Sequence, residues 1–238
     1  MYEFSGRTLS EAVSKAVYGK PQVGFDTHAL QWPLHIKKIE KLSDHFPFQR
    51  KIISGSTLFI GEGNFSFSLG LAKHKQAEGF RIVSTSFEPE KKLSDTAYEN
   101  AQKLVRLGVT VKTGVNATKL DETFKTRRFM RIIFQFPNVA SRSSVCGQNP
   151  NHTLITRFLK SAGNHLSNAG EVVITTVDSP FYEGVFKMDE AASKAGYHPP
   201  RVFNFNPNRY SGYSHQNTDN EESALDNHDA FATFTFSR

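Results

Sequence analysis

TLFIGEGNFSFSLGLAK, residues 57–73, decides how this 238-residue chain is read. Thr57-Leu58-Phe59-Ile60 is a short apolar run of the length expected for a strand buried on both faces. Gly61-Glu62-Gly63 interrupts it. Asn64, or Ser66 just beyond it, can cap a helix, and Phe65, Phe67, Leu69, Leu71 and Ala72 recur at helical spacing after that. The order strand, glycine turn, helix opens a doubly wound α/β domain, in which ligands sit beyond the carboxyl ends of the strands. Gly61 can take backbone angles closed to other residues, and Gly63 lets a ligand approach the main chain. The amides at the helix start favour a negative or polar ligand group. Phe65 and Ser66 stand where a dinucleotide fingerprint has its third glycine. That favours a nucleoside-type ligand without a pyrophosphate, such as S-adenosylmethionine, over a dinucleotide.

Composition bounds the rest. The length suits one sizeable core with extensions, and 38% hydrophobic with 22% charged residues is the balance of a water-soluble globular chain. No apolar run approaches the roughly 18 residues of a membrane helix, and the first residues do not read as a secretory signal. The single cysteine, Cys146, excludes an intramolecular disulfide and fits a reducing compartment. A cytoplasmic location is therefore expected, or a nucleolar one in a eukaryote. His28, His35 and His45 lack metal-ligand spacing, so no metal is expected. The formal charge of +6 and a pI of about 9.3 suit a polyanionic partner, and RNA leads.

Taken in order, residues 1–54 read as an extension: a helix near 8–18, then an irregular aromatic and basic segment. Residues 55–238 read as the catalytic-type domain. Its expected strands are Thr57–Ile60, Arg81–Phe87, Val109–Val115, Phe129–Phe136, Glu171–Val177, Arg201–Phe205 and Ala230–Phe236. They form a mostly parallel seven-stranded sheet with helices on both faces. Helices are expected over Glu90–Leu107, Thr153–Leu166 and Phe186–Ala195, with a turn over Thr118–Phe124. Glu88, at the end of the second strand, can accept hydrogen bonds from both ribose hydroxyls. Asn116, beside Ala117, can meet an adenine edge or cap the turn that follows it. Pro137 ends the fourth strand and requires an extended Phe136. Gln135 and Asn138 there face the crevice where a methyl acceptor would lie. The long polar segment 206–222 holds Tyr210, Tyr213 and His215. Such a length between two strands suggests a functional loop.

GEGNFSFSL at 61–69, TSFEP at 85–89, GVNATKL at 114–120, IIFQFPNV at 132–139 and YSGYSHQNT at 210–218 resemble the fungal-type large-subunit rRNA uridine-N3 methyltransferase family. The resemblance covers about residues 55–238. It implies a Rossmann-like class I methyltransferase using S-adenosylmethionine. It implies that Gly61, Glu62, Gly63 and Asn64 line the methionine side of the cofactor, with Phe65 and Ser66 continuing the turn, and that Glu88 holds the ribose. Asn116, with Ala117, lies near the adenine, and Gln135 closes the cofactor set. Gln135–Asn138 is similar to the family's Asn-Phe-Pro-His acceptor edge. The chain departs from the family at Asn116 for Asp, Gln135 for Asn, Asn138 for His, and Met130 for an acid. A uridine imide nitrogen needs a base, and His215 is the candidate; Gln135 and Asn138 complete the catalytic set. Phe136, Pro137, Tyr182, Tyr210 and Tyr213 are the substrate-binding candidates, the tyrosines by stacking on an unpaired base. A small-molecule methyltransferase on the same scaffold, and a catalytically inactive cofactor-binding module, stay open as alternatives.

Overall fold

Two core layers, one on each face of a single sheet, follow from the period-two alternation of its central strands. In the computed structural model, which describes residues 41–73, 81–139, 148–215, 223, 225 and 228–238, the strands are β1 (Lys41–His45), β2 (Thr57–Ile60), β3 (Ile82–Thr85), β4 (Thr110–Lys112), β5 (Phe129–Gln135), β6 (Leu166–Val177), β7 (Arg201–Phe205) and β8 (Phe231–Phe236). The helices are α1 (Phe48–Ile53), α2 (Ser66–Ala72), α3 (Asp95–Arg106), α4 (Leu120–Phe124), α5 (Pro150–Gly163), α6 (Pro180–Phe186) and α7 (Met188–Lys194). Leu58, Ile60, Ile132, Phe134, Val172 and Ile174 face one layer, with Ile155, Phe158 and Leu159 of α5 and Ala191 of α7. Phe59, Ile133 and Val173 face the other, with Phe48 and Ile52 of α1, Phe67 and Leu69 of α2, and Ala97 and Leu104 of α3. Successive side chains of a strand point to opposite faces, so both faces are apolar and both are covered by helices.

The sheet order is β1-β7-β8-β6-β5-β2-β3-β4. β8 runs antiparallel to β6 and β7; every other pairing is parallel. From β2 the chain first moves outward to β3 and β4, then returns to lay β5 on the other side of β2. The carboxyl ends of β2 and β5 therefore form the topological switch point, where α/β sheets open a crevice.

Eight strands stand where seven were expected. The extra one is β1, whose sequence KLSDH has no apolar alternation. Its strand conformation comes from pairing with β7, reinforced by a 3.1 Å hydrogen bond between His45 Nδ1 and the Asn204 carbonyl. α1 follows, with Phe48 and Ile52 fully buried. Arg131 of β5 ties α1 to the sheet: its guanidinium reaches Glu171 at 3.2 Å and Ser54 at 3.0 Å, and it donates to the Lys51 carbonyl. Lys51 in turn meets Glu171 at 2.8 Å. The expected boundary at residue 54 therefore falls within one compact unit spanning Ile39–Arg238. The helix expected at 8–18, most of the segment 21–50 and Cys146 lie outside the described residues.

Local boundaries shift for identifiable reasons. α3 starts at Asp95 rather than Glu90, because the Ser94 side chain caps it by accepting from the Ala97 amide at 3.2 Å. The helix expected over Phe186–Ala195 is α7, Met188–Lys194, which Lys187 in a left-handed conformation separates from the preceding α6. β6 begins at Leu166 and turns through left-handed Ala169, so α5 ends at Gly163. Phe136, expected extended before Pro137, has φ +47°. Its ring is held by Phe205 at 5.8 Å, Phe231 at 5.7 Å and His215 at 5.1 Å, and that packing overrides the pre-proline preference.

Candidate active site

The glycine turn sets the geometry of the crevice. Gly61 has φ +63°, and a Cβ there would lie 2.7 Å from the Phe134 ring, so the turn needs glycine on both counts. The Glu62 carboxylate turns inward. It accepts from the Ser68 amide at 3.1 Å, from the Ser68 hydroxyl, and from the Ser84 hydroxyl at 2.9 Å. Burial pushes its pKa up from 4.5 to about 7, and the hydrogen bonds from Ser68 and Ser84 oppose that rise. Glu62 thus ties the turn to the first turn of α2 and to β3. Neither Asn64 nor Ser66 occupies the cap position of α2. Phe65 does, in a left-handed conformation, and Asn64 Oδ1 accepts from the Ser66 amide at 3.1 Å.

The crevice has a volume of about 460 Å³, within the range of small-ligand sites. Gly61, Glu62, Gly63, Asn64, Ser66, Glu88, Asn116, Ala117, Gln135, Phe136, Pro137, Asn138, Tyr213 and His215 all line it. Three expected members do not. Phe65 is wholly buried in the layer formed with α2 and α3, because its left-handed backbone turns the ring into the core. Tyr182 lies on α6, stacked at 5.9 Å on Phe186. Tyr210 stacks at 5.5 Å on Phe205, where burial raises its pKa to about 12. Phe67, Phe87, Val139, Leu154 and Ser214 line the crevice without having been singled out. Phe87 is the informative one: a large ring, 60% exposed, at the mouth beside Glu88. An aromatic next to the acid that ends a strand is a signal the sequence did carry.

Segment 210–215 closes one side as a strap. Asn64 Nδ2 donates to the Ser214 carbonyl at 2.9 Å, Ser66 Oγ donates to the same oxygen at 2.7 Å, and the Ser214 amide donates to Ser66 Oγ at 3.1 Å. Tyr213 packs on Phe67 at 5.0 Å. Burial, and secondarily the nearby Glu62 charge, keep its phenol protonated well beyond the ordinary range. At Asn116 the capping reading holds. Its Oδ1 accepts from the Thr118 amide at 2.9 Å and hydroxyl at 2.8 Å, while the residue also lines the crevice. Its NH2 is the half suited to a ligand acceptor.

Gln135 Nε2, Gln135 Oε1 and Tyr213 Oη are buried in the walls of this crevice and make no hydrogen bond among the described residues. Buried polar atoms left without partners are costly, and convergent ones mark a place where a polar ligand completes the site. A nucleoside cofactor fits these walls: an open glycine main chain, an acid at a strand end, an amide beside a small residue and an apolar rim. No group of three or more metal-ligating side chains occurs among the described residues, and no described helix is long and apolar enough to cross a membrane.

Fold and crevice together are those of the Rossmann-like methyltransferase fold. The 16S rRNA methyltransferase KamB superposes with a TM-score of 0.52 at 13% identity, over 80% of this chain and 91% of that one, a likeness of fold. The model of the BMT5-like rRNA (uridine-N3-)-methyltransferase family matches residues 58–217, and the chain belongs to that family. An uncharacterized Arabidopsis thaliana protein is 33% identical over 146 residues, 57% of this chain and 67% of its own length. The mouse homolog of ferredoxin-fold anticodon-binding domain-containing protein 1 is 34% identical over 122 residues, 50% of this chain. The chain spans only 19% of that mouse relative and 18% of the human one.

Proposed function

We propose that this protein is an S-adenosylmethionine-dependent methyltransferase acting on a uridine ring nitrogen in ribosomal RNA. The observation that carries this reading is the convergence of partnerless Gln135 and Tyr213 polar atoms on a crevice built from the family's cofactor turn. The cofactor supplies an electrophilic methyl group on a sulfonium. Glu88 would accept from the ribose hydroxyls, the Asn116 NH2 would donate to the adenine edge, and the Gly61–Asn64 main chain would hold the methionine end. The Gln135 amide offers a donor to a base carbonyl and an acceptor to a neighbouring N–H, and Asn138 extends that polar edge. His215, held against Phe136 at 5.1 Å, takes the imide proton, so that the ring nitrogen attacks as its anion. Phe136 and Tyr213 wall the base, and Pro137 keeps the acceptor edge short. Holding donor and acceptor in line is most of what methyl transfer asks of an enzyme, and these groups would supply that positioning. A base paired in a helix must first be turned out to reach this depth.

Calorimetric titration of the full chain with S-adenosylhomocysteine, against NAD as control, tests the cofactor half. Binding is expected for wild type and lost in Gly63→Val and Glu88→Ala. Absence of binding by folded wild-type protein would refute it. Methyl transfer from labelled cofactor to unmodified ribosomal RNA, and its loss in His215→Ala, tests the acceptor half. Transfer only to small molecules would replace RNA as the substrate.

A further inference from the structure

A second cavity of about 550 Å³ opens on the same edge of the sheet, over the ends of β1, β7 and β8. His45, Asn204, Asn206, Asn208, His228 and Asp229 supply its polar wall. Phe205 and Phe231 supply apolar, aromatic surface. Among the described residues no lysine or arginine lines it, and Asp229 does, so the cavity disfavours a phosphate. No group of three metal ligands occurs among the described residues, which disfavours a cation. A flat, neutral ligand with donors and acceptors on its rim is what remains.

The hydrogen-bonding sense of two walls is determined. The Asn204 carbonyl can only accept, so the His45 Nδ1 bonded to it at 3.1 Å carries the proton, and Nε2 of the neutral ring is an acceptor. Asn206 Oδ1 is taken by the Asn208 amide at 2.9 Å, so its NH2 is a donor. Donor and acceptor over aromatic rings is the chemistry that recognises a nucleobase.

Packed aromatic rings separate the cavity from the active site. Phe205 lines the second cavity, and its ring lies 5.8 Å from Phe136, which lines the first. On the far side, His228 meets Tyr182 at 5.7 Å, and Tyr182 meets Phe181, a 60% exposed ring, at 5.2 Å. β5 and β8, whose ends carry Phe136 and Phe231, are two positions apart in the sheet order, so the two cavities are about 10 Å apart, the reach of one or two unpaired nucleotides. Arg209, one residue beyond Asn208, is exposed and is a cation available to the RNA backbone.

We propose that this second cavity is a nucleobase subsite, which takes an unpaired nucleotide flanking the methylated one in the RNA substrate. The inference rests on the RNA reading above. The subsite reads a base edge through Asn206 and His45, sets the base against His228 and the edges of Phe205 and Phe231, and so sets sequence context outside the catalytic crevice.

The test uses the full chain and a random-sequence single-stranded RNA pool, with bound RNAs sequenced and affinities measured for wild type, Asn206→Asp and His228→Ala. Asn206→Asp keeps the acceptor that holds the Asn208 amide and removes the donor. Wild type is expected to show a base preference at one position. Both variants are expected to lose it and to weaken binding of the preferred sequence roughly tenfold, the loss typical of a good base contact. S-adenosylhomocysteine affinity stays unchanged. Wild-type preference retained in both variants overturns the subsite and leaves the methyltransferase reading intact. So does a loss uniform across all sequences, the signature of a phosphate contact. Failure of wild type to bind any RNA while still binding S-adenosylhomocysteine overturns the subsite together with the RNA substrate.

Discussion

The carboxyl group of Glu62 makes stability depend on pH. Its folded-state pKa is about 7 against 4.5, so the folded protein holds a proton that the unfolded chain releases between those values. Stability contributed here is therefore complete below about pH 4.5, falls as pH rises towards 7, and is lost above it. The loss amounts to about 3 kcal/mol, from some 1.4 kcal/mol per pKa unit. Urea unfolding of wild type and Glu62→Gln at pH 5 and pH 8 isolates the effect: wild type should lose about 2.5 kcal/mol relative to the variant across that interval. A difference that does not move with pH sinks this account. Gln135 gives the opposite combination. Replacing it by Leu removes two buried, partnerless polar atoms, so the protein without ligands should gain up to about 1 kcal/mol in thermal or urea unfolding. The same variant should lose at least tenfold in methyl transfer. Activity left at the wild-type level would place Gln135 outside the chemistry.

At the scale of elements, the β1–α1 pair and the strap carry distinct consequences. Phe48 of α1 is 1% exposed and meets Phe67 at 5.2 Å and Tyr210 at 5.8 Å, so it supports both α2 and the strap. Phe48→Ala should cost about 3–5 kcal/mol in urea unfolding. A chain shortened to begin at Gly55 should fail to unfold cooperatively, whereas a dispensable extension would leave the transition unchanged. The strap is latched by Ser66 and Asn64 on Ser214. Ser66→Ala removes a donor and an acceptor at once and leaves the Ser214 amide without its partner. Hydrogen exchange should then quicken at residues 213–215 while β2 and β5 keep their protection, because the latch is local and the strands are held by the sheet.

The whole molecule carries a net charge of +6, and its two cavities open along one sheet edge. RNA affinity should therefore fall steeply as salt rises from about 50 to 200 mM, while S-adenosylhomocysteine affinity barely moves; equal insensitivity of both would remove the electrostatic partner argument. What the sequence determined by itself was local or periodic. TLFIGEGNFSFSLGLAK announces strand, glycine turn and helix because apolar runs, glycines and helical spacing act within a few residues of each other. The crevice residues at the ends of β2, β3 and β5 were legible for the same reason: a parallel strand delivers the residues at its carboxyl end to the ligand edge. Tertiary structure decided the rest. KLSDH becomes a strand only because β7 offers an open ladder, and Phe65 leaves the site because its left-handed backbone turns the ring into the core. Phe136 is bent out of the extended conformation by three rings from distant segments. Tyr182, Tyr210 and Tyr213 look alike in sequence, yet only Tyr213 reaches the crevice, because the strap hydrogen bonds between Ser66 and Ser214 span 148 residues of chain. Contacts at that separation depend on which elements pack together, and no local pattern encodes them.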